Sequence, residues 1–153
     1  PQASRGNLGV RQAGAGSLAP ARLTHAALWG AFEPVTRDPG VRVREIGRSV
    51  EGRPLRALTV GAGATTVLLW SQMHGDEPTA TMALADLLAW LAAPAAEPAL
   101  RDSLTARLTL VVVPMLDPDG AERGRRENVQ RLDVNRGARR LATPEARARD
   151  ALH

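Results

Sequence analysis

The sequence predicts an α/β fold with a mixed central sheet and flanking helices, on three observations. The run from Thr66 to Ser71 and the stretch Leu108-Thr109-Leu110-Val111-Val112-Val113 are continuously apolar and rich in branched residues, the pattern of strands buried on both faces. Between them, Pro78 to Leu91 is apolar on nearly every side, as a buried helix is. Ahead of both, Val41-Arg42-Val43-Arg44 alternates in period two and Leu55 to Val60 is a second strand-like run, with Glu51-Gly52-Arg53-Pro54 as turn chemistry between them. Strand, helix, strand calls for a right-handed crossover and a parallel pair. The hairpin calls for an antiparallel one, so the sheet is mixed.

Composition narrows the class. The 153 residues give room for one domain with a real core. The 44% hydrophobic content is that of a globular protein, yet only 3% is aromatic, so Leu, Val and Ala carry the packing. All 20 basic residues are arginine, which reads first as a bias of composition. A net charge of +4 does not by itself imply nucleic acid, and none is expected as a partner. No apolar run reaches membrane-spanning length and no charged-then-apolar signal opens the chain, so no membrane is expected. Without cysteine there is no disulfide and no thiolate ligand, and any zinc must be held by His and carboxylate. The compartment stays open, with the cytoplasm slightly favoured, and so does the oligomeric state.

In order along the chain, residues 1–19 read as a flexible lead-in, and residues 20–153 as the domain. Pro20 to Phe32 suits a short helix with Leu23, Ala27 and Leu28 inward, and His25 there reads as a surface or satisfied histidine. After the buried helix, Pro94 and Pro98 act as stops. Pro114 to Gly120 reads as a loop from its Pro, Asp and Gly content. From Thr143 a last helix starts, with Thr143 as cap, Pro144 first and Glu145 in the first turn.

The chemistry gathers where the first apolar strand ends. His74 and Glu77 flank a tight turn at Gly75, before Pro78 opens the helix. An imidazole and a carboxylate thus meet at the carboxyl end of a central strand, the edge at which open α/β sheets hold ligands. The parallel crossover brings the segment after Val113 to that same edge. Nitrogen and oxygen donors of this kind suit zinc, and a catalytic zinc takes three protein ligands plus water. The pair also reads as a helix-capping acid beside an incidental histidine. Asp117 and Asp119 read as turn-shaping residues. From Ala121 to Arg149 nine arginines face Glu122, Glu127, Asp133 and Glu145, a basic face in which Arg126 and Arg136 stand out by their nearness to the turn.

Taken together and in order, His74-Gly75-Asp76-Glu77, Asp117-Pro118-Asp119-Gly120, Arg126-x-Asn128 and Asp133-Val134-Asn135-Arg136 resemble the zinc carboxypeptidase family of the carboxypeptidase A type, in a bacterial-like member. Glu51-Gly52-Arg53-Pro54 resembles the hairpin turn common before its first metal motif. The resemblance runs from about Val43 to Arg136 and implies the amino-terminal part of a zinc carboxypeptidase-like (phosphorylase/hydrolase-like) fold, truncated here. It implies zinc as cofactor, with His74 and Glu77 as the first two ligands. It implies Arg126 as the group that polarises the scissile carbonyl, and Asn135 and Arg136 as the pair that grips a terminal carboxylate. The family's third ligand and general base lie further downstream, in segments this chain does not contain.

Three residues depart from the family pattern. Asp76 stands where digestive members carry Arg, Asp117 replaces the usual Asn, and Arg131 sits where a Gly is common. The expected activity is a metalloprotease-type hydrolysis of a peptide or amide substrate next to a free carboxylate. The alternatives are an amidohydrolase acting on cell-wall peptides or acylated amino acids with the same centre, and a non-catalytic basic binding module.

Overall fold

A computed structural model of the chain describes residues 22–93 and 97–152. The lead-in expected over residues 1–19, the Pro20 helix start, the stop at Pro94 and His153 lie outside the described residues.

The expected hairpin forms. β1 (Val41–Arg48) and β2 (Pro54–Val60) pair antiparallel, with Val41 opposite Val60 and Arg48 opposite Pro54. The register shifts between Glu45 and Gly47, leaving Ile46 as the extra residue of a bulge. The crossover unit also forms. β3 (Thr65–Trp70) and β4 (Leu108–Val113) run parallel, from Thr65 opposite Leu108 to Trp70 opposite Val113. β2 pairs antiparallel with the other side of β4, so the sheet is mixed, in the order β1-β2-β4-β3.

That order corrects one expectation. β3 is not central and not buried on both faces: among the described residues it is an edge strand, and Trp70 is 37% exposed. Length and apolar character give strand type but not place in the sheet. Here β4, paired with β2 on one side and β3 on the other, takes an interior place and leaves β3 at the edge. The outer face of Trp70 is covered by the Arg149 guanidinium, 5.6 Å from the ring centroid.

Two apolar layers follow from the alternation of side chains along the strands. Leu58 and Val60 of β2 and Leu110 and Val112 of β4 face one way. They pack under α1 (His25–Ala31), α2 (Glu33–Thr36) and α3 (Thr79–Ala92), with Leu28, Phe32, Val35, Leu88 and Leu91. Ala57 and Val113 face the other way, onto Leu116 and Val134. Leu23 and Leu28 are buried as expected, but Ala27 is exposed, because α1 presents a single narrow stripe to the sheet. His25 is satisfied, its Nε2 standing 3.0 Å from the Pro54 carbonyl oxygen. α3 buries only Thr81, Ala85, Leu88 and Leu91 fully, so it lies on the sheet rather than inside a core. A further helix, α4 (Pro98–Arg107), was not foreseen: Pro98 does not only stop a helix, it opens the next one, where its missing N–H is harmless. No helix among the described residues is long and apolar enough to cross a membrane.

The stretch read as a loop after Pro114 is helical from its fifth residue. Asp117 caps α5 (Pro118–Arg123), accepting from the Gly120 N–H at 2.9 Å, and Pro118 takes the first position. Asp119 does more than shape a turn. Fully buried, it accepts from Ser49 Oγ at 2.7 Å, from the Glu51 N–H at 3.0 Å and from Arg53 Nη1 at 2.6 Å. It therefore latches the β1–β2 turn onto α5, some seventy positions away in sequence. α6 (Pro144–Asp150) starts as predicted, with Thr143 accepting from the Ala146 N–H at 3.1 Å. Its buried Glu145 holds the same turn from the other side, through the Val50 N–H at 3.3 Å.

Asp119→Ala should be among the most damaging changes in the fold. It removes the partner of the Ser49 hydroxyl and the Glu51 N–H and leaves Arg53 with Glu51 alone, and breaking a buried charged pair costs about 3–5 kcal/mol. Urea denaturation followed by circular dichroism measures it. A loss below about 1 kcal/mol would mean the hairpin turn is held by other contacts.

Candidate metal centre

The parallel pairing continues past the strands and builds the site. Ser71 N–H donates to the Val113 carbonyl at 3.0 Å, Leu116 N–H to Ser71 at 3.1 Å, and Asp117 N–H to Gln72 at 2.9 Å. The chain after β4 thus runs beside the chain after β3, as the crossover requires. The bend itself falls at Gln72, whose φ of 48° lies in the left-handed region. Its side chain compensates locally: Nε2 donates to the Gly75 carbonyl at 2.9 Å and Oε1 accepts from Thr81 Oγ1 at 2.9 Å. Ser71 Oγ completes the network, donating to the Pro114 carbonyl at 2.6 Å and standing 3.0 Å from Thr81 Oγ1. Gly75 is required for a different reason than bending. A Cβ there would stand 2.0 Å from the Gly120 carbonyl carbon and 2.1 Å from the Ala121 nitrogen, so α5 can approach only a glycine.

This turn closes with Glu77 N–H donating to the His74 carbonyl at 3.1 Å, and it brings the two side chains together. His74 Nδ1 lies 3.1 Å from Glu77 Oε2. The other ring nitrogen, Nε2, lies 3.2 Å from Asp133 Oδ1. The buried imidazole is therefore held between two carboxylates, one on each side. Arg126 spans the same two acids, with Nη1 on Glu77 Oε1 at 2.9 Å and Nε on Asp133 Oδ2 at 3.3 Å. The hydrogen bond to His74 first, and then the Arg126 charge, hold the Glu77 carboxyl below its ordinary range. Burial pushes Asp133 up, but the Arg136 N–H, His74 and Arg126 outweigh it, and this carboxyl also ends below its ordinary range.

Of the residues singled out from sequence, His74, Glu77 and Arg126 are in direct contact. Asn135 joins His74 and Glu77 in lining a hollow of about 300 Å³, with Trp70, Met73 and Ala80 as its apolar wall. Arg136 does not line the hollow: its N–H donates to Asp133 Oδ1 at 3.0 Å, Nε is 3.6 Å from Asp133 Oδ2, and the side chain is 83% exposed. The donor set suits zinc. A nitrogen and a carboxylate oxygen converge, and the histidine is backed by a second carboxylate, the arrangement that orients metal-binding imidazoles. Among the described residues no three His, Cys, Asp or Glu side chains are grouped to hold a metal ion, because Asp133 lies on the far side of the ring from Glu77.

Residues 34–143, well over half of the chain, match the zinc carboxypeptidase family. This chain belongs to that family. It is 28% identical over 101 residues to Carboxypeptidase SOL1 of Arabidopsis thaliana, a match that takes in 62% of this chain and 21% of that protein. Its fold superposes on a metallo-carboxypeptidase from Burkholderia cenocepacia with a TM-score of 0.78 at 29% identity, over 86% of this chain and 38% of the other. A metallo-carboxypeptidase from Pseudomonas aeruginosa, solved in complex with (2-guanidinoethylmercapto)succinic acid, shares the fold with a TM-score of 0.71 at 21% identity, over 86% and 36%. The chain thus spans between about a fifth and two fifths of the lengths of these relatives.

Within this carboxypeptidase fold, two residues were given no site role on sequence grounds. Asp133 stood inside a quoted motif, and only the tertiary structure shows that it backs His74. Gln72 carried no signal beyond its place two residues before the histidine. Asp117, the departure from the family's usual Asn, is completely buried, and its Oδ2 has no hydrogen-bond partner among the described residues. Burial first, then the neighbouring Glu145 and Asp119, push its carboxyl up to about 7.

The sign of the resulting linkage is unusual for an aspartate. The folded chain holds this proton more tightly than the unfolded chain does. The Asp117 contribution is therefore most favourable below about pH 4 and is lost as pH rises toward 7, by about 4 kcal/mol in all. Asp117→Asn keeps the cap and removes the charge. Urea midpoints at pH 5 and pH 8 should differ less in this variant than in the parent, with the variant the more stable at pH 8. Equal slopes in both proteins would show that Asp117 ionises normally.

Proposed function

We propose that this chain forms part of a zinc-dependent, metallocarboxypeptidase-like hydrolase that cleaves a peptide or amide bond next to a free carboxylate. The observation that carries the reading is the two-sided clamp on His74, with Glu77 at Nδ1 and Asp133 at Nε2. In it, His74 and Glu77 are the metal ligands this chain supplies. An imidazole that donates its Nε2–H to Asp133 turns the Nδ1 lone pair toward Glu77, which supports that assignment. Glu77 shares the work between its oxygens: Oε1 accepts from Arg126 and Oε2 faces the histidine. Zinc bound there supplies Lewis acidity, which polarises a carbonyl and acidifies water.

The remaining roles belong to cations and amides at the rim. Arg126 is the group assigned to the scissile carbonyl, where a guanidinium receives the negative charge that develops on its oxygen. Its contacts with Glu77 and Asp133, which limit the freedom of the guanidinium, support that role. Asn135, lining the hollow beside His74, and the exposed Arg136 next to it in the chain are assigned to the substrate's terminal carboxylate, which a planar guanidinium can bind through two oxygens.

Two measurements test this. In a protein that extends beyond residue 153, His74→Ala should lose zinc by elemental analysis, and Asp133→Asn should weaken zinc affinity about 10- to 100-fold with the fold intact. Unchanged zinc in both variants would remove the metal centre from this turn. In the same protein, a peptide with an amidated terminus should react far more slowly than its free acid. Losing a charge-assisted hydrogen bond costs about 1.5–3 kcal/mol in kcat/KM. Equal rates would place the carboxylate-binding pair elsewhere or point to an internal amidase.

A further inference from the structure

A second, smaller hollow of about 280 Å³ opens on the loop after α5, lined by Arg123, Arg125, Glu127, Asn128, Val129 and Arg131. The metal-centre reading uses none of these residues. Arg125 and Glu127 flank Arg126 in the chain, so the same loop turns one guanidinium toward Glu77 and Asp133 and its neighbours toward this hollow.

Three exposed arginines line one small space, and they are not equally engaged. Arg123 is committed, bonded to Glu51 and to the Asp119 carbonyl. Among the described residues Arg125 and Arg131 have no ion-pair partner, and the hollow offers them a single carboxylate, Glu127. Two like charges against one leave a positive excess, which an anion would relieve.

The backbone at Arg131 adds an independent observation. Its φ of 60° lies in the left-handed region, where glycine sits freely and a side chain is disfavoured. This chain thus carries a guanidinium at a strained backbone position. The strained position is firmly fixed. Arg131 N–H donates to the Asn128 carbonyl at 2.9 Å, and Asn128 Oδ1 accepts from Gln130 and Leu132 N–H at 3.0 and 3.1 Å. Asn128 is itself buried and anchored to Glu145 at 3.4 Å. The hollow therefore has a rigid floor.

We propose that the hollow between Arg125 and Arg131 is an oxyanion-binding site. A guanidinium fork matches a pair of oxygens on one central atom, as in a phosphate group or a side-chain carboxylate. The hollow is large enough for such a group together with part of its hydration. Phosphate and acidic polypeptide share this chemistry, and the site depends on neither zinc nor peptidase activity.

The 153-residue chain can be titrated with inorganic pyrophosphate, and separately with an acetylated tetraglutamate peptide, at constant ionic strength set by chloride. Nitrogen-15 NMR would follow the arginine Nε–H signals. Saturable shifts confined to Arg125 and Arg131 are expected with at least one probe, and which probe gives them identifies the source of the oxyanion. Arg131→Gly is the informative variant, because it deletes the guanidinium and relieves the strain together. Its urea midpoint should hold or rise while affinity falls about tenfold. Glu127→Gln should bind more tightly, having lost the competing carboxylate. Arg42→Gln, an exposed arginine on β1, should bind as the parent does. No saturable shift with either probe, equal affinity in Arg131→Gly, or equal weakening in Arg42→Gln would overturn the proposal.

Discussion

Parallel pairing of β3 with β4 is the constraint from which the rest of the centre hangs. Two strands that run the same way end at the same sheet edge, and their exit segments must then travel together. Here the ladder is prolonged by three further backbone hydrogen bonds, the last joining Asp117 to Gln72. Those bonds fix where α5 begins, and α5 in turn presses its backbone against Gly75 between the histidine and the glutamate. His74 is thus positioned by backbone geometry before any side-chain contact is made. The carboxylates then set its orientation, and a buried ring with a partner on each nitrogen has no alternative rotamer that satisfies both.

A second theme is the use of buried acids as ties between elements distant in sequence. Asp119 and Glu145 grip the β1–β2 turn from α5 and α6, accepting from the Glu51 N–H and the Val50 N–H respectively. Asp117 is the exception. It keeps the cap hydrogen bond of an asparagine, but its second oxygen is buried with no partner, close to two other acids. Burying that oxygen charged is costly, so the folded state keeps the acid neutral well above the ordinary carboxylate range, up to about pH 7. One atom's difference from the family's usual residue turns a passive cap into a titrating group.

Arginine as the only basic residue suits this architecture. Two of its side chains among the described residues bridge two acids rather than pairing with one: Arg53 joins Glu51 to Asp119, and Arg126 joins Glu77 to Asp133. A planar fork with five donors can do this while keeping good geometry on both partners, whereas an ammonium is a single point charge. The exposed pairs among these add little to stability, but the Arg53–Asp119 bond ends on a completely buried carboxylate, where loss of the partner would be felt.

Local chemistry determined much of this protein from sequence alone. Periodicity and turn residues gave the hairpin, the crossover and the mixed sheet, because side-chain alternation and short-range backbone preferences are set by neighbours in the chain. The cap at Thr143 was legible for the same reason, and so was the meeting of His74 with Glu77, three residues apart across a turn. The ordered motifs pointed to the zinc carboxypeptidase family, to which the chain proves to belong. Tertiary structure alone decided what depends on distant partners. It put β4 rather than β3 in the middle of the sheet, since a strand's neighbours are not written in its own residues. It made Asp133 the second partner of His74 from 59 positions away, and made Asp119 a latch rather than a turn former. It also showed that Gly75 is needed for the approach of α5, because a steric demand between two segments becomes visible only when both are in place.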